Sequence, residues 1–207
     1  MAIRESTETR LLDAADDLFF TRGIAATPID AVIEQAGVSA ATLYRGFASK
    51  EALLAAALDR RHRAWIATWD EAVARHDDDE DRLLAVFDAL DDFRERPLGS
   101  RWCAVLGTAA EYEHGPEEVA AAVRRDSEAL RTRLRDLSRP LVREQDGGGR
   151  GGKAALLGDE LLLLVTGDLA MRLRDPRHTT ALARGIARTL IRSVRTTRTT
   201  RTAHAAQ

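Results

Sequence analysis

Between Gly23 and Lys50 the chain is punctuated so closely that only two short helices, and a turn of three residues between them, fit. Gly23 is a natural stop for the helix before it, because glycine takes left-handed backbone angles without steric cost. In "TPIDAVIEQAG", Thr27 is placed as N-cap, Pro28 as first helical residue and Asp30 in the first turn, each favoured at a helix start. Ile29, Val32 and Ile33 give that helix a buried side, and Gly37 ends it after about nine residues. Ser39 caps the next helix, which carries Leu43 and Phe47 inward at the i, i+4 spacing, and Ser49 caps a longer helix opening at Lys50.

The rest of the 207 residues is also written for helices. Ala, Leu, Arg and the acidic residues dominate, with few β-branched runs, so the expected fold class is all-α. The first helix spans about Ser6 to Arg22, with Leu11, Ala14, Ala15, Leu18 and Phe19 on one face. After the helix from Lys50, helices are expected over about Asp79–Arg96, Arg101–Tyr112, and from Pro116 to a kink or end at Pro140. "DGGGRGGK", Asp146 to Lys153, reads as a flexible loop, followed by helices over about Ala154–Arg174 and His178–Val194. The tail 196–207 has no apolar pattern and is expected to be disordered. The expected domains are a helix-turn-helix unit over 1–50 and a helical unit over 51–195.

Net charge is −2 and pI about 6.2, so contact with nucleic acid has to be local rather than spread over the surface. One cysteine, Cys103, excludes an intramolecular disulfide and fits a reducing compartment. The N-terminus is polar and unlike a signal peptide, and the apolar run Leu161–Val165 is far too short to span a bilayer. A cytoplasmic protein with no membrane partner is expected.

Two short helices joined by a three- or four-residue turn containing Gly form a helix-turn-helix, whose second helix enters the DNA major groove. The local chemistry suits that task. Between Gly37 and Lys50 there are two basic residues and no acidic one. Ala40 and Ala41 are small enough to let base edges and thymine methyls approach. Thr42, Tyr44 and Arg45 lie off the anchoring face, Tyr44 to donate to a phosphate and Arg45 to pair with phosphate or guanine. Lys50 and the amides after Ser49 offer a positive helix start to another phosphate. With the capping residues Thr27 and Ser39, these make the expected DNA-binding set.

"AGVSAATLYRGFASKEAL", preceded by "LLDAADDLFFTRGIAATPIDAVIEQ", resembles the DNA-binding domain of TetR-family transcriptional regulators over about residues 7–58. The resemblance implies that the second helix of the motif reads a palindromic operator in double-stranded DNA. It also implies that the remaining chain is a divergent helical domain that binds a small-molecule effector and forms a homodimer. Two positions depart from the family pattern. Gly46 stands where a bulky residue is usual, and Ala40 where lysine is frequent.

Other features compete for attention. "GGGRGGKA", Gly147 to Ala154, nearly completes a phosphate-binding loop, but Ala154 lacks the magnesium-binding hydroxyl and no strand precedes it. A linker is the better reading. Cys103 and His114 lack a third group to orient a nucleophile–base pair, so Cys103 is expected to be an inert, buried thiol. The acidic run Asp77–Asp81 lies where a helix start favours negative charge, and its spacing does not suit a metal. No cofactor is expected.

Trp65 and Trp69 are one turn apart, and Phe87, Phe93, Trp102 and Tyr112 add aromatics on neighbouring helices. Each alone reads as core. As a set, Trp65, Trp69, Phe87, Trp102, Tyr112 and Glu111 make the expected lining of an apolar effector cavity. Leu161 and Leu164, in a run apolar all round, and Leu182, Ile186 and Leu190, on one face of the last helix, make the expected dimer interface, with Arg184, Arg188, Arg192 and Arg195 opposite on a solvated face. The sequence thus points to a ligand-relieved, homodimeric repressor. The alternative is a helical carrier or enzyme that keeps this shape without binding DNA.

Overall fold

The computed structural model describes residues 3–99, 103–142, 151–175 and 177–196. Among them the chain forms α1 (Glu5–Arg22), α2 (Ile29–Ala36), α3 (Ala40–Gly46), α4 (Lys50–Ala74), α5 (Asp79–Arg94), α6 (Ala104–Glu111), α7 (Glu117–Ser138), α8 (Gly151–Arg174) and α9 (Ala181–Thr196). A single 3-10 turn, Arg139–Leu141, follows α7 where Pro140 was expected to end it. No strand occurs among the described residues, and no helix there is long and apolar enough to cross a membrane. The all-α class is confirmed.

The described chain divides into two compact units. The first comprises Met1–Ala64 with Leu98–Asp126. The expected boundary at position 50 marks the start of α4, but this unit carries on to Ala64 and takes in α6 and the first part of α7. Its core is built from Leu11, Leu18, Phe19 and Phe20 of α1, Val32 of α2, Leu43 of α3 and Leu53 and Leu54 of α4, all essentially inaccessible to solvent. Ala104, Val119 and Ala122 complete it from α6 and α7.

The turn chemistry follows from the punctuation. Gly37 sits in the left-handed region at φ 61°, ψ 43°, with its N–H donating to Glu34 O and the Val38 N–H to Ile33 O. That paired arrangement is a Schellman stop, and Val38 adds its apolar side chain to the core, as such stops commonly do. Ser39 Oγ accepts from the Thr42 N–H at 3.2 Å, and Ser49 Oγ from the Ala52 N–H at 3.0 Å. Asp78 Oδ1 likewise caps α5 through the Glu80 and Asp81 amides, so the acidic run is a helix cap.

The second unit comprises Trp65–Pro97 with Ser127–Gln207. Trp69, Leu83, Leu84, Phe87, Leu134, Leu157, Leu161, Val165, Ala187 and Ile191 form its core. Asp168 is buried there among polar partners, accepting from Arg172 Nε at 3.1 Å and paired with His178 Nε2 at 2.8 Å. Arg172 also reaches Leu90 O and Asp91, so α5, α8 and the segment leading to α9 meet at one charged node.

Two expectations fail here. α8 begins at Gly151, so Gly151 to Lys153 lie on a helix rather than in the expected loop; positions 146–150 fall outside the described residues, as do 197–207 of the tail. On the last helix, the arginine face expected to be simply solvated is partly spent on ion pairs. Ala183, Ala187 and Ile191 are buried, Arg184 pairs with Asp88 and Arg188 with Glu80, while Leu182 and Ile186 are exposed. Small alanines let α9 approach its neighbours closely, and the flanking arginines keep their charge by pairing with carboxylates of α5.

Candidate nucleic-acid interface

α3 is a seven-residue helix held from one side. Leu43 is fully buried and Phe47 nearly so, and their spacing leaves the opposite side free. Ala40, Ala41, Tyr44 and Arg45 are all exposed, and Thr42 is half-buried. Tyr44 is 53% accessible, so its ring edge and hydroxyl are open to a partner. The structure therefore brings together five of the expected DNA-contacting residues on one small, acid-free surface, with Ser39 exposed at its cap. Gly46 has a local reason. A Cβ there would meet Ile3 Cδ1 at 2.4 Å, so the glycine makes a seat for the segment before α1.

Thr27 and Lys50 do not join that surface. Thr27 is 2% exposed, and its hydroxyl donates toward Gly23 O at 2.7 Å and Leu18 O at 3.2 Å. Nor does it cap α2, which starts after Pro28 without a side-chain cap. Lys50 Nζ donates to Ile24 O at 2.5 Å and lies 5.6 Å from the Phe19 ring centre. Both side chains are spent on the α1–α2 turn. A backbone carbonyl and an aromatic face nearby outcompete water for a lysine whose stem already lies on the core.

The expected effector lining is divided between the units. Trp65, Trp69 and Phe87 belong to the second; Glu111 and Tyr112 belong to the first; Trp102 lies outside the described residues. Phe87 is fully enclosed core. Trp65 stacks at a tilt on Trp69 (5.5 Å between ring centres) and edge-on against Phe93 (5.7 Å), and the Arg133 guanidinium lies 4.7 Å over Trp69. Phe93 was visible as one more aromatic, whereas Arg133 gave no signal, being one arginine among many on α7. Glu111 is overturned as a lining residue. Its Oε1 accepts from the Ile24 N–H at 3.1 Å and its Oε2 from the Ala25 N–H at 2.6 Å. Tyr112 is half-buried, and that burial, followed by the charge of Glu51, pushes its hydroxyl above the ordinary phenol range.

The expected dimer residues also separate. Leu161 is fully buried in its own unit's core, which corrects its assignment to an interface, and Leu164 and Leu190 are half-buried against that core. Leu182, at 68% accessible, and Ile186, at 42%, remain outward. Leu156, Leu163 and Met171 on α8 are exposed as well.

Among the described residues no other chemistry assembles. Cys103, expected to be buried, is half-buried at the start of α6, and desolvation still pushes its thiol up, away from thiolate. No group of three metal-ligating side chains occurs among the described residues. Asp16, buried between Arg60 and Arg61, has its carboxyl raised because burial outweighs both arginines.

Comparison with known proteins agrees with this layout. Residues 11–57 match the family model described as bacterial regulatory proteins, tetR family. Over 92 residues the chain is 35% identical to the transcriptional activator FasR of Mycolicibacterium smegmatis, covering 44% of this chain but only 42% of that relative. A TetR-family transcriptional regulator from Streptomyces coelicolor superposes with a TM-score of 0.80 at 26% identity, covering 92% of this chain and 91% of the other. A TetR regulator from Chloroflexus aurantiacus shares the fold at TM-score 0.72 and 23% identity, over 91% and 93% of the two chains. These relatives are regulators rather than enzymes. The matched segment spans most of α1 to the first turns of α4, and beyond it the chain shares the helical fold of TetR-family regulators, so both its N-terminal segment and its fold are similar to theirs.

Proposed function

We propose that the chain is a homodimeric, sequence-specific DNA-binding transcriptional regulator, a repressor released from its operator by a small apolar or aromatic ligand. The observation that carries the DNA-binding reading is the exposed Ala40–Ala41–Tyr44–Arg45 surface on a helix pinned from behind by Leu43 and Phe47. A backbone that small side chains cover thinly approaches base edges, while Tyr44 and Arg45 supply donors for phosphate or guanine. FasR is named as an activator. Whether bound protein represses or activates depends on where the operator lies, and the contacts on DNA are the same in both cases.

Arg45→Ala should weaken operator binding and flatten its dependence on log salt by about one unit if the guanidinium meets a phosphate. Tyr44→Phe, which removes only a hydroxyl, should cost about 1–2 kcal/mol with sequence preference retained. Both are read by fluorescence anisotropy over a salt series. Unchanged affinity and slope in two folded variants would place the reading surface elsewhere.

The effector reading rests on Trp69. Its indole N–H is fully buried without a hydrogen-bond partner among the described residues, and such donors are rare without a reason. A ligand with an apolar ring and one acceptor atom would satisfy it. Trp65 and Trp69 lie on α4, whose first residue is Lys50, and at 1.5 Å per residue Trp65 is about 22 Å along that helix. A ligand of this kind should quench tryptophan fluorescence and release the operator over the same concentration range, and operator should weaken its binding by the same factor. A compound that releases DNA with no tryptophan signal would move the effector site away from Trp69.

A further inference from the structure

The α1–α2 turn is held from both charge signs. Lys50 Nζ, at the start of α4, donates to Ile24 O, and the Glu111 carboxylate, at the end of α6, accepts from Ile24 N–H and Ala25 N–H. Thr27 closes the same turn by bonding back to Gly23 O, and Gly23 adopts φ 95° to let the chain pass. Every one of these groups lies within the first unit. The turn decides where α2 begins, and α3 follows α2 after only three residues. Among the described residues that grip it, Glu111 comes from outside the helix-turn-helix and the helix that follows, 86 residues away in sequence from Ala25.

We propose that Glu111 is a positioning residue for DNA recognition: by holding the Ile24 and Ala25 amides, the end of α6 sets the placement of α2 and α3 that the operator selects. This rests on the DNA-binding reading and deepens it, because it makes α6 a part of the reading head. Two charge-assisted hydrogen bonds to adjacent amides fix a peptide plane in a way that one bond does not. Displacement of α6 would release that grip without any change at the DNA-contacting side chains.

The test compares full-length wild type, Glu111→Ala and Glu111→Gln by amide hydrogen exchange and by binding to an operator duplex and to a scrambled duplex. In Glu111→Ala, exchange at Ile24 and Ala25 should accelerate, and operator affinity should fall about tenfold, within the range for residues that modulate binding without touching the ligand. Scrambled-duplex affinity and the salt slope should stay as in wild type, because no phosphate contact is removed. Glu111→Gln, which keeps one accepting oxygen, should recover part of both effects. Faster exchange with undiminished operator affinity would overturn the positioning role, and unchanged exchange would overturn the grip itself. Wild-type protein that fails to distinguish the two duplexes would instead count against the DNA-binding reading, while the exchange result would still decide whether Glu111 holds the turn.

Discussion

Replacing Asp168 with alanine should lower the stability of the second unit by about 3–5 kcal/mol, the usual cost of removing one partner from a buried ion pair. The Asp168 side chain is wholly inaccessible and accepts from Arg172, which is itself 5% exposed, while pairing with His178. Without the carboxylate, the Arg172 guanidinium keeps only Asp91 and the Leu90 carbonyl, and its Nε faces a cavity. The damage spreads because the same node holds three segments. Thr180 donates to Asp91 at 2.6 Å just before α9 starts, so loosening Arg172 frees the approach to that helix. Urea unfolding followed by tryptophan fluorescence reports directly, since Trp65 and Trp69 lie in the same unit. Asp168→Asn keeps the shape and accepting oxygen while losing the charge, and should fall between wild type and alanine. An alanine variant within about 0.5 kcal/mol of wild type, the scatter of ordinary surface changes, would show the node to be dispensable.

Ile186→Glu should convert the protein into a folded monomer and reduce operator affinity by about 10²–10⁴-fold, the gain that joining two binding modules provides. Leu182 and Ile186 follow the i, i+4 spacing on α9, and Leu156, Leu163 and Met171 recur at seven and eight residues along α8. Such outward stripes on two packed helices leave an apolar surface, which a second copy of the chain would cover by two-fold symmetry. A glutamate at position 186 reaches water in the monomer and is buried unpaired in a dimer, so its cost falls on association. Light scattering gives the mass and circular dichroism the helix content. A variant that remains a dimer and binds operator like wild type would put the interface on another face.

How much of this was legible beforehand depends on how local the cause is. Gly37, Ser39, Ser49 and Asp78 act on amides and carbonyls within five residues, and each does in the structure what its chemistry requires. Leu43 and Phe47 were equally readable, because a short helix between two stops has only one side on which to anchor. Thr27, Lys50 and Glu111 were not. The first two look like ordinary cap and phosphate ligands until the turn they hold is seen, and the partners of Glu111 lie 86 and 87 residues away. On α9 the Leu182 and Ile186 positions read as an interface stay outward, while close packing selected Ala183 and Ala187 for the core and carboxylates on α5 drew in arginines that read as solvated. Leu161 failed for the opposite reason: in a run apolar all round, nothing in the sequence says which leucines point inward.

Selection of bound duplexes from a random DNA pool by the purified wild-type protein tests the central claim most directly. The exposed surface of α3, repeated by two-fold symmetry, predicts enrichment of one palindromic sequence with half-sites about 34–36 Å apart, one turn of the duplex. Arg45→Ala run in parallel should enrich the same palindrome more weakly if Arg45 meets phosphate, or lose one base preference in each half-site if it meets guanine. A pool that emerges without any preferred sequence, from protein shown to be folded and dimeric, would contradict the account.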